Sequence, residues 1–266
     1  MLELLSLSPI IKGLILLIVA GIAFPITGVY LLRLNLLPLR FMLMHGAILG
    51  GAVALAFHQS PFITTIIVNL MLVLLMTKTS RSLKADAVYM STFFMVLSIS
   101  LAFIIVYKSN VQAKDTLSLL WGSLYSSTWG EVVIVTLFSL FLILFQTVYF
   151  RKLQAFFFDR EIAYTAGVNE RFLYYSIVLL TAMTVAMAMK IIGALLLDAL
   201  LLLPAFIAIL HAKSLRGVII WSSLWGGLFA VGGFFIALWL DIPASSAIAA
   251  LAAIVFMVIF VIIKRK

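Results

Sequence analysis

Two ionisable residues interrupt long apolar runs. His45 lies in the run over 36–57 and Asp198 in the run over 191–210. Imidazole and carboxylate are both acceptable ligands for zinc, manganese or ferrous iron. A carboxylate at membrane depth costs roughly 2.5–3.5 kcal/mol on insertion scales, so it is read first as a functional group with a partner elsewhere. The chain has no cysteine, which removes thiolate metal sites and disulfides. Sparse ligation of this kind suits a path through which an ion moves, because an ion held too firmly does not leave. A second reading is structural: His45 hydrogen-bonded to a neighbouring helix, and Asp198 capping a broken helix or pairing with Lys190 or nearby hydroxyls. Residue types alone do not choose between the two.

A second constellation is the charged segment over 158–168. Phe158, Ile162 and Ala166 are spaced as i, i+4 and i+8, so one short helix would carry a single apolar stripe. Asp159, Arg160 and Glu161 would flank it, and Gly167 stands where such a helix would end. This segment is either a protein-docking helix or an ordinary solvated loop. His58, beside Gln59, and Trp121 are candidates for contact with a partner on the opposite face. His211, beside Lys213, reads as a solvated surface residue.

The elements that must position these groups are membrane helices. The chain has 266 residues, 65% of them hydrophobic and 10% charged, with a mean hydropathy of +1.28. That is more apolar surface than a soluble domain can cover, and it implies an all-α polytopic membrane protein forming one domain over 1–266. Crossing the hydrocarbon core takes about 20 apolar residues. Nine spans are predicted, over 10–32, 36–57, 61–77, 86–108, 131–150, 172–189, 191–210, 217–240 and 244–263. Only Lys190 and Gly193 separate the sixth from the seventh. Met1-Leu2-Glu3 lacks a basic leader, so the run from Ile10 is read as a span and not a cleavable signal.

Basic residues set the expected orientation. With the N-terminus outside, Arg33, Arg40, Lys78, Arg81, Lys84, Arg151, Lys152, Arg160, Arg171, Lys213, Arg216 and the Lys264–Lys266 tail all fall inside. Lys12, Lys108, Lys114 and Lys190 fall outside. The surplus of 18 Lys and Arg over 9 Asp and Glu then belongs to cytoplasmic loops and anionic lipid, with no call for nucleic acid. Under this orientation His45 sits roughly 14 Å from the inner end of its span and Asp198 roughly 10 Å from the outer end of its own, at 1.5 Å per residue. They reach similar depth from opposite directions. The loop over 115–127, with Trp121 and Gly122, is expected to form a short interfacial or re-entrant helix at the outer surface. Gly46, Gly50, Gly193 and Pro204 are expected to serve close helix packing and helix breaks.

No G-x-x-x-x-G-K-[ST] loop is present, so this chain does not hydrolyse ATP by that route, and it has neither H-E-x-x-H nor G-x-S-x-G. It is not expected to be an enzyme. Energy for any transport must come from another subunit or from an ion gradient.

Several stretches, taken in order, resemble one family. MHGAILG from Met44 resembles the S-H-A-x-L-P-G stretch of the membrane permease subunits of metal-ion ABC importers. Asp86-Ala87 resembles their cytoplasmic acidic entry, and LSLLWGSL over 117–124 their outer L-x-x-L-x-G-S-L segment. FDREIAYTAGV over 158–168 resembles the F-D-x-E-x-A-x-x-x-G coupling segment, and IIGALLLDALLLLPA over 191–205 the V-G-x-L-L-V-x-A-L-L-x-x-P-A signature. Asp241-Ile242-Pro243 with Ser245 and Ser246 resembles the D-x-P-S-G turn. Met44, Leu49 and Ser246 depart from the pattern, and Asp198 occupies a position often small or hydroxylated in the family.

The resemblance implies two copies of this chain, two separate ATPase subunits and an external metal-binding protein. The cargo would be a divalent zinc, manganese or iron ion, with no tightly bound cofactor. In that reading the segment over 158–168 docks on the ATPase, with Phe158 and Ile162 as anchors. Two other readings remain: an ABC permease for a metal chelate such as a siderophore, and a secondary transporter using Asp198 as a protonatable carrier.

Overall fold

A computed structural model describes residues 7–109, 122, 124–193 and 197–264, with the main chain alone at 160, 162 and 264. Trp121, Lys114 and most of the loop over 115–127 lie outside these residues. The helices are α1 (Ser8–Arg33), α2 (Leu37–Ala56), α3 (Pro61–Ser82), α4 (Ala87–Lys108), α5 (Trp129–Val148), α6 (Phe150–Phe158), α7 (Arg160–Thr165), α8 (Glu170–Ile192), α9 (Leu197–Leu201), α10 (Leu203–His211), α11 (Leu215–Leu240) and α12 (Ala244–Lys264). A short 3₁₀ turn, Leu124–Ser126, precedes α5.

Lipid offers no hydrogen bonds to an open backbone, so spanning segments must satisfy their own, and helices do so. Buried hydroxyls follow the same rule by bonding back one turn. Thr77 donates to the Val73 carbonyl at 2.8 Å, Ser98 to Phe94 at 2.7 Å and Thr181 to Ile177 at 2.8 Å. Helix starts carry side-chain caps outside the apolar stretches. Thr128 and Glu131 form a reciprocal capping box at α5, Asp86 accepts from the Val88 amide at α4, and Ser214 from the Gly217 amide at α11.

Among the described residues, eight helices are long and apolar enough to cross a membrane: α1 to α5, α8, α11 and α12. The predicted seventh span, 191–210, departs from expectation. Ile191 and Ile192 belong to the end of α8, and the part from Leu197 is the pair α9 and α10, a stretch of about 22 Å at 1.5 Å per residue against a hydrocarbon core of about 30 Å. Pro204 enforces the break, since its ring excludes a continuous helix through the preceding turn. The chain runs through the break with Leu202 N–H bonded to Asp198 O at 2.9 Å and Phe206 N–H to Leu202 O at 2.8 Å. The last turn of α5 and the first turn of α11 line one cleft. By length the pair falls short of a spanning helix, where the sequence predicted a seventh span.

The contacts gather into two units. One comprises Met1–Tyr30, Leu124–Glu170 and Leu195–Lys266; the other comprises Leu31–Ser123 and Arg171–Ala194. In the first, α1 is the most enclosed span, 72% of its apolar window being buried against 17% for α12, so α1 is a core helix and α12 faces outward. Phe24 of α1 meets Phe138 of α5 edge-on at 6.4 Å, and α1 crosses α11 where Gly226 and Gly21 bring their backbones together. A Cβ on Gly226 would overlap the Gly21 carbonyl and lie 2.5 Å from Pro25 Cγ. Ala237, Ala244 and Ala247 seal α11 on α12. In the second unit α2 packs between α3 and α4, with Leu49, Ala52 and Ala102 forming one apolar cluster.

Candidate transport path and coupling segment

His45 sits in α2, partly buried. Its Nδ1 lies 2.8 Å from the Phe41 carbonyl one turn earlier. A carbonyl only accepts, so this bond puts the proton on Nδ1 and leaves the lone pair on Nε2, where it can ligate a metal ion. The neighbouring glycines let α3 come close. A Cβ on Gly46 would lie 2.5 Å from both Asn69 Oδ1 and Leu72 Cδ1, and one on Gly50 2.6 Å from Thr65 Cα. Both glycines stand where α2 and α3 approach closely.

Sequence reasoning missed Asn69. It is fully buried on α3, and neither its Oδ1 nor its Nδ2 has a hydrogen-bond partner among the described residues. Leaving a buried polar group unpaired costs about 1–3 kcal/mol, so the Asn69 carboxamide is open to a partner beyond the described residues. The available signal was a lone carboxamide within TTIIVNLMLVLL.

Asp198 lies in the other unit, in the first turn of α9, half-buried. His45 and Asp198 are thus placed each in its own unit. Gly193 ends α8 with φ +91, a left-handed conformation that glycine adopts without cost, and its N–H bonds Met189 O at 2.9 Å. Gly122, in the same unit as Gly193, rests on this turn: a Cβ there would lie 2.5 Å from Gly193 N and 2.7 Å from Ile192 C. Pro204 is buried near the start of α10. The carbonyl of Leu201, just before that break, packs on Gly28 of α1, where no Cβ could be fitted. His58 is exposed in the turn after α2 with φ +52. His211 closes α10, its ring edge-on to Trp221 at 5.1 Å.

The segment over 158–168 is not the single helix expected from the spacing of Phe158, Ile162 and Ala166. α6 stops at Asp159, whose backbone is extended (φ −158, ψ 131). Its carboxylate accepts from the Glu161 amide at 2.7 Å and starts α7 as a new helix. The acid in the middle of the motif is a helix-start residue, and this divides the stripe between two helices. At the far end Val168 N–H bonds Ala163 O at 2.9 Å and Gly167 N–H bonds Tyr164 O at 3.0 Å. With Gly167 at φ +74, these are the paired bonds of a Schellman stop. Leu153, Phe156 and Ala163 face inward, whereas Phe158 is 82% exposed and Tyr164 73% exposed. Glu161 is exposed as well.

A second pair of residues absent from the sequence reading ties α6 to the spans. Phe157 of α6 packs on the Tyr30 ring at 5.6 Å between centroids, and the Tyr30 hydroxyl donates to Gln146 Oε1 at 2.6 Å. Tyr30 and Gln146 are both buried. Phe157, one residue before the segment over 158–168, thereby fastens α6 to the ends of α1 and α5 inside one unit.

Long apolar helices, absence of strands among the described residues and a short two-part helix between spans define an all-helical polytopic membrane protein. Residues 6–263 match the ABC 3 transport family, and the chain belongs to that family. It is 27% identical over 257 residues to the manganese import system permease protein ScaB of Streptococcus gordonii, covering 96% of this chain and 91% of that protein. It is 24% identical over 217 residues to the high-affinity zinc uptake system membrane protein ZnuB of Haemophilus influenzae, covering 80% and 82%. Its fold is similar to that of PsaBC from Streptococcus pneumoniae in complex with Fab, with a TM-score of 0.83, 23% identity and coverage of 97% and 93%.

Proposed function

We propose that this chain is the permease subunit of an ATP-driven ABC importer that carries a divalent metal ion, zinc, manganese or iron, across the bacterial cytoplasmic membrane. The observation that carries the reading is similarity over 96% of the chain to a permease protein named for manganese import and over 80% to a membrane protein named for zinc uptake. The basic residues favour an outer N-terminus and a cytoplasmic C-terminus. The chain acts as one transmembrane domain, paired with a second copy, two ATPase subunits and an external metal-binding protein. The ion is cargo and is passed along, not kept.

In this reading His45 Nε2 and the Asp198 carboxylate are stations on the ion path, and the buried carboxamide of Asn69, beside Gly46, supplies a neutral oxygen near the first. Nitrogen and oxygen donors without thiolate hold zinc or manganese weakly enough for release. On the inner face the exposed Phe158 and Tyr164 rings enter a groove of the ATPase, with Asp159, Arg160 and Glu161 at the rim and Ile162 between. Closure of the ATPase pair then moves α6 and α7 as a rigid piece and switches access to the path.

Uptake of labelled zinc, manganese and iron by vesicles containing the permease and its ATPase tests the proposal. ATP-dependent accumulation of one of these ions, reduced by the unlabelled ion, is the expected result. Accumulation of none, or uptake that ignores ATP and follows a proton gradient, contradicts it.

A further inference from the structure

One cleft includes neither His45, Asp198 nor any residue of the segment over 158–168. Gln146, Thr147, Phe150, Arg216, Ile219 and Ile220 line a space of about 330 Å³, within the range of small-molecule sites, roughly 300–1,000 Å³. All six residues belong to one unit. They come from the last turn of α5, the start of α6 and the first turns of α11, which places the cleft where spans end and headgroups begin.

Its lining is divided by chemistry. Phe150, Ile219 and Ile220 form an apolar wall, while Arg216 is exposed at the start of α11. Gln146 is only 4% exposed. The Tyr30 hydroxyl holds its Oε1, which fixes the carboxamide, and its Nε2 is buried with no hydrogen-bond partner among the described residues. Thr147 spends its hydroxyl proton on the Leu144 carbonyl at 2.9 Å, so the donors left to a ligand are the Arg216 guanidinium and the Gln146 amide, one of them cationic, and no acid is among the lining residues. A fitting ligand therefore brings a negative charge, acceptor oxygens and an apolar body. Arg151, Lys152 and Lys213, close by in sequence, add to the positive potential at this level, which attracts anionic lipid.

We propose that this cleft binds an acidic phospholipid, its phosphate between Arg216 and Gln146 and an acyl chain along Ile219 and Ile220. Guanidinium and carboxamide together bind phosphate oxygens through charge-assisted bonds, and the apolar wall accounts for the rest of the cleft. A zwitterionic headgroup would bring an ammonium with no carboxylate to meet it. The site is independent of the cargo, and its test does not use transport.

The full-length protein in nanodiscs containing phosphatidylglycerol and phosphatidylcholine, followed by native mass spectrometry of retained lipid, is the test. Phosphatidylglycerol is expected to be retained in preference. Arg216→Gln should weaken that retention about tenfold, Ile219→Trp should block it by filling the cleft, and Lys213→Gln in the adjoining turn should leave it within about twofold. Equal retention of the two lipids overturns the proposal, as does an equal loss in Lys213→Gln and Arg216→Gln. Displacement of the lipid by millimolar inorganic phosphate alone would also overturn it, because the site would then be one for a free anion.

Discussion

The Tyr30 hydroxyl donates to Gln146 Oε1 across 2.6 Å, and the same ring carries Phe157 at 5.6 Å. One buried residue of α1 thus holds the end of α5 with its polar tip and α6 with its face. Phe157 and Tyr30 thereby tie α6 to the spans within one unit. Tyr30→Phe leaves the Gln146 carboxamide without its partner in a buried site, at a cost of about 1–3 kcal/mol. Thermal unfolding in detergent should register the loss. Tyr30→Phe combined with Gln146→Leu removes both polar groups and should recover most of it, and a double variant no more stable than the single would show that the bond is incidental.

The crossing of α1 and α11 predicts different tolerance at two adjacent glycines. A Cβ on Gly226 meets the Gly21 carbonyl and Pro25 Cγ at 2.5 Å, whereas one on Gly227 meets only Ile22 Cγ1 at 3.2 Å. A backbone cannot give way as a side chain can. Gly226→Ala should destabilise by about 1–3 kcal/mol through overpacking, and Gly227→Ala by no more than about 0.5 kcal/mol. Parallel melting curves decide this, and equal behaviour would contradict the close crossing.

Much of the architecture is legible in the sequence because lipid imposes a length and an apolar composition on each crossing. The predicted 36–57 and 86–108 spans, for example, fall within a residue or two of α2 and α4. Legibility fails where local chemistry overrides periodicity. The i, i+4, i+8 pattern from Phe158 ignores the capping carboxylate of Asp159, which starts a new helix, and the apolar count over 191–210 is blind to the break before Pro204. Asn69 and the Tyr30–Gln146 bond were hidden for another reason: a single carboxamide in an apolar run does not reveal what stands opposite. His45 could be placed in its span from sequence, but its tautomer depends on the Phe41 carbonyl, a matter of geometry.

Gly167 offers a clean measure of backbone strain. It adopts φ +74 at the end of α7, and a Cβ there would meet nothing within 4 Å. Gly167→Ala should therefore cost about 1 kcal/mol from the left-handed conformation alone, and Gly167→Asn less. Differential scanning calorimetry of the two variants compares them directly. A cost for alanine no larger than for asparagine would contradict the paired-bond stop.

The exposed rings on α6 and α7 should matter to assembly and little to folding. Phe158→Ser with Tyr164→Ser removes two side chains that are 82% and 73% exposed, so stability should change by less than about 0.5 kcal/mol each. Buried aromatic anchors contribute about 2 kcal/mol or more to an interface. Loss of ATPase co-purification from a normally folded permease is the expected outcome, and full retention would remove these rings from the docking surface.

The most direct test of the account is ATP-driven uptake of labelled manganese or zinc into vesicles holding the assembled importer with either His45→Ala or Asp198→Asn. If His45 Nε2 and the Asp198 carboxylate line the ion path, each variant assembles normally and hydrolyses ATP, while uptake falls at least about tenfold, the rate equivalent of 1.4 kcal/mol. Uptake equal to that of the unmodified protein in both variants would contradict the account.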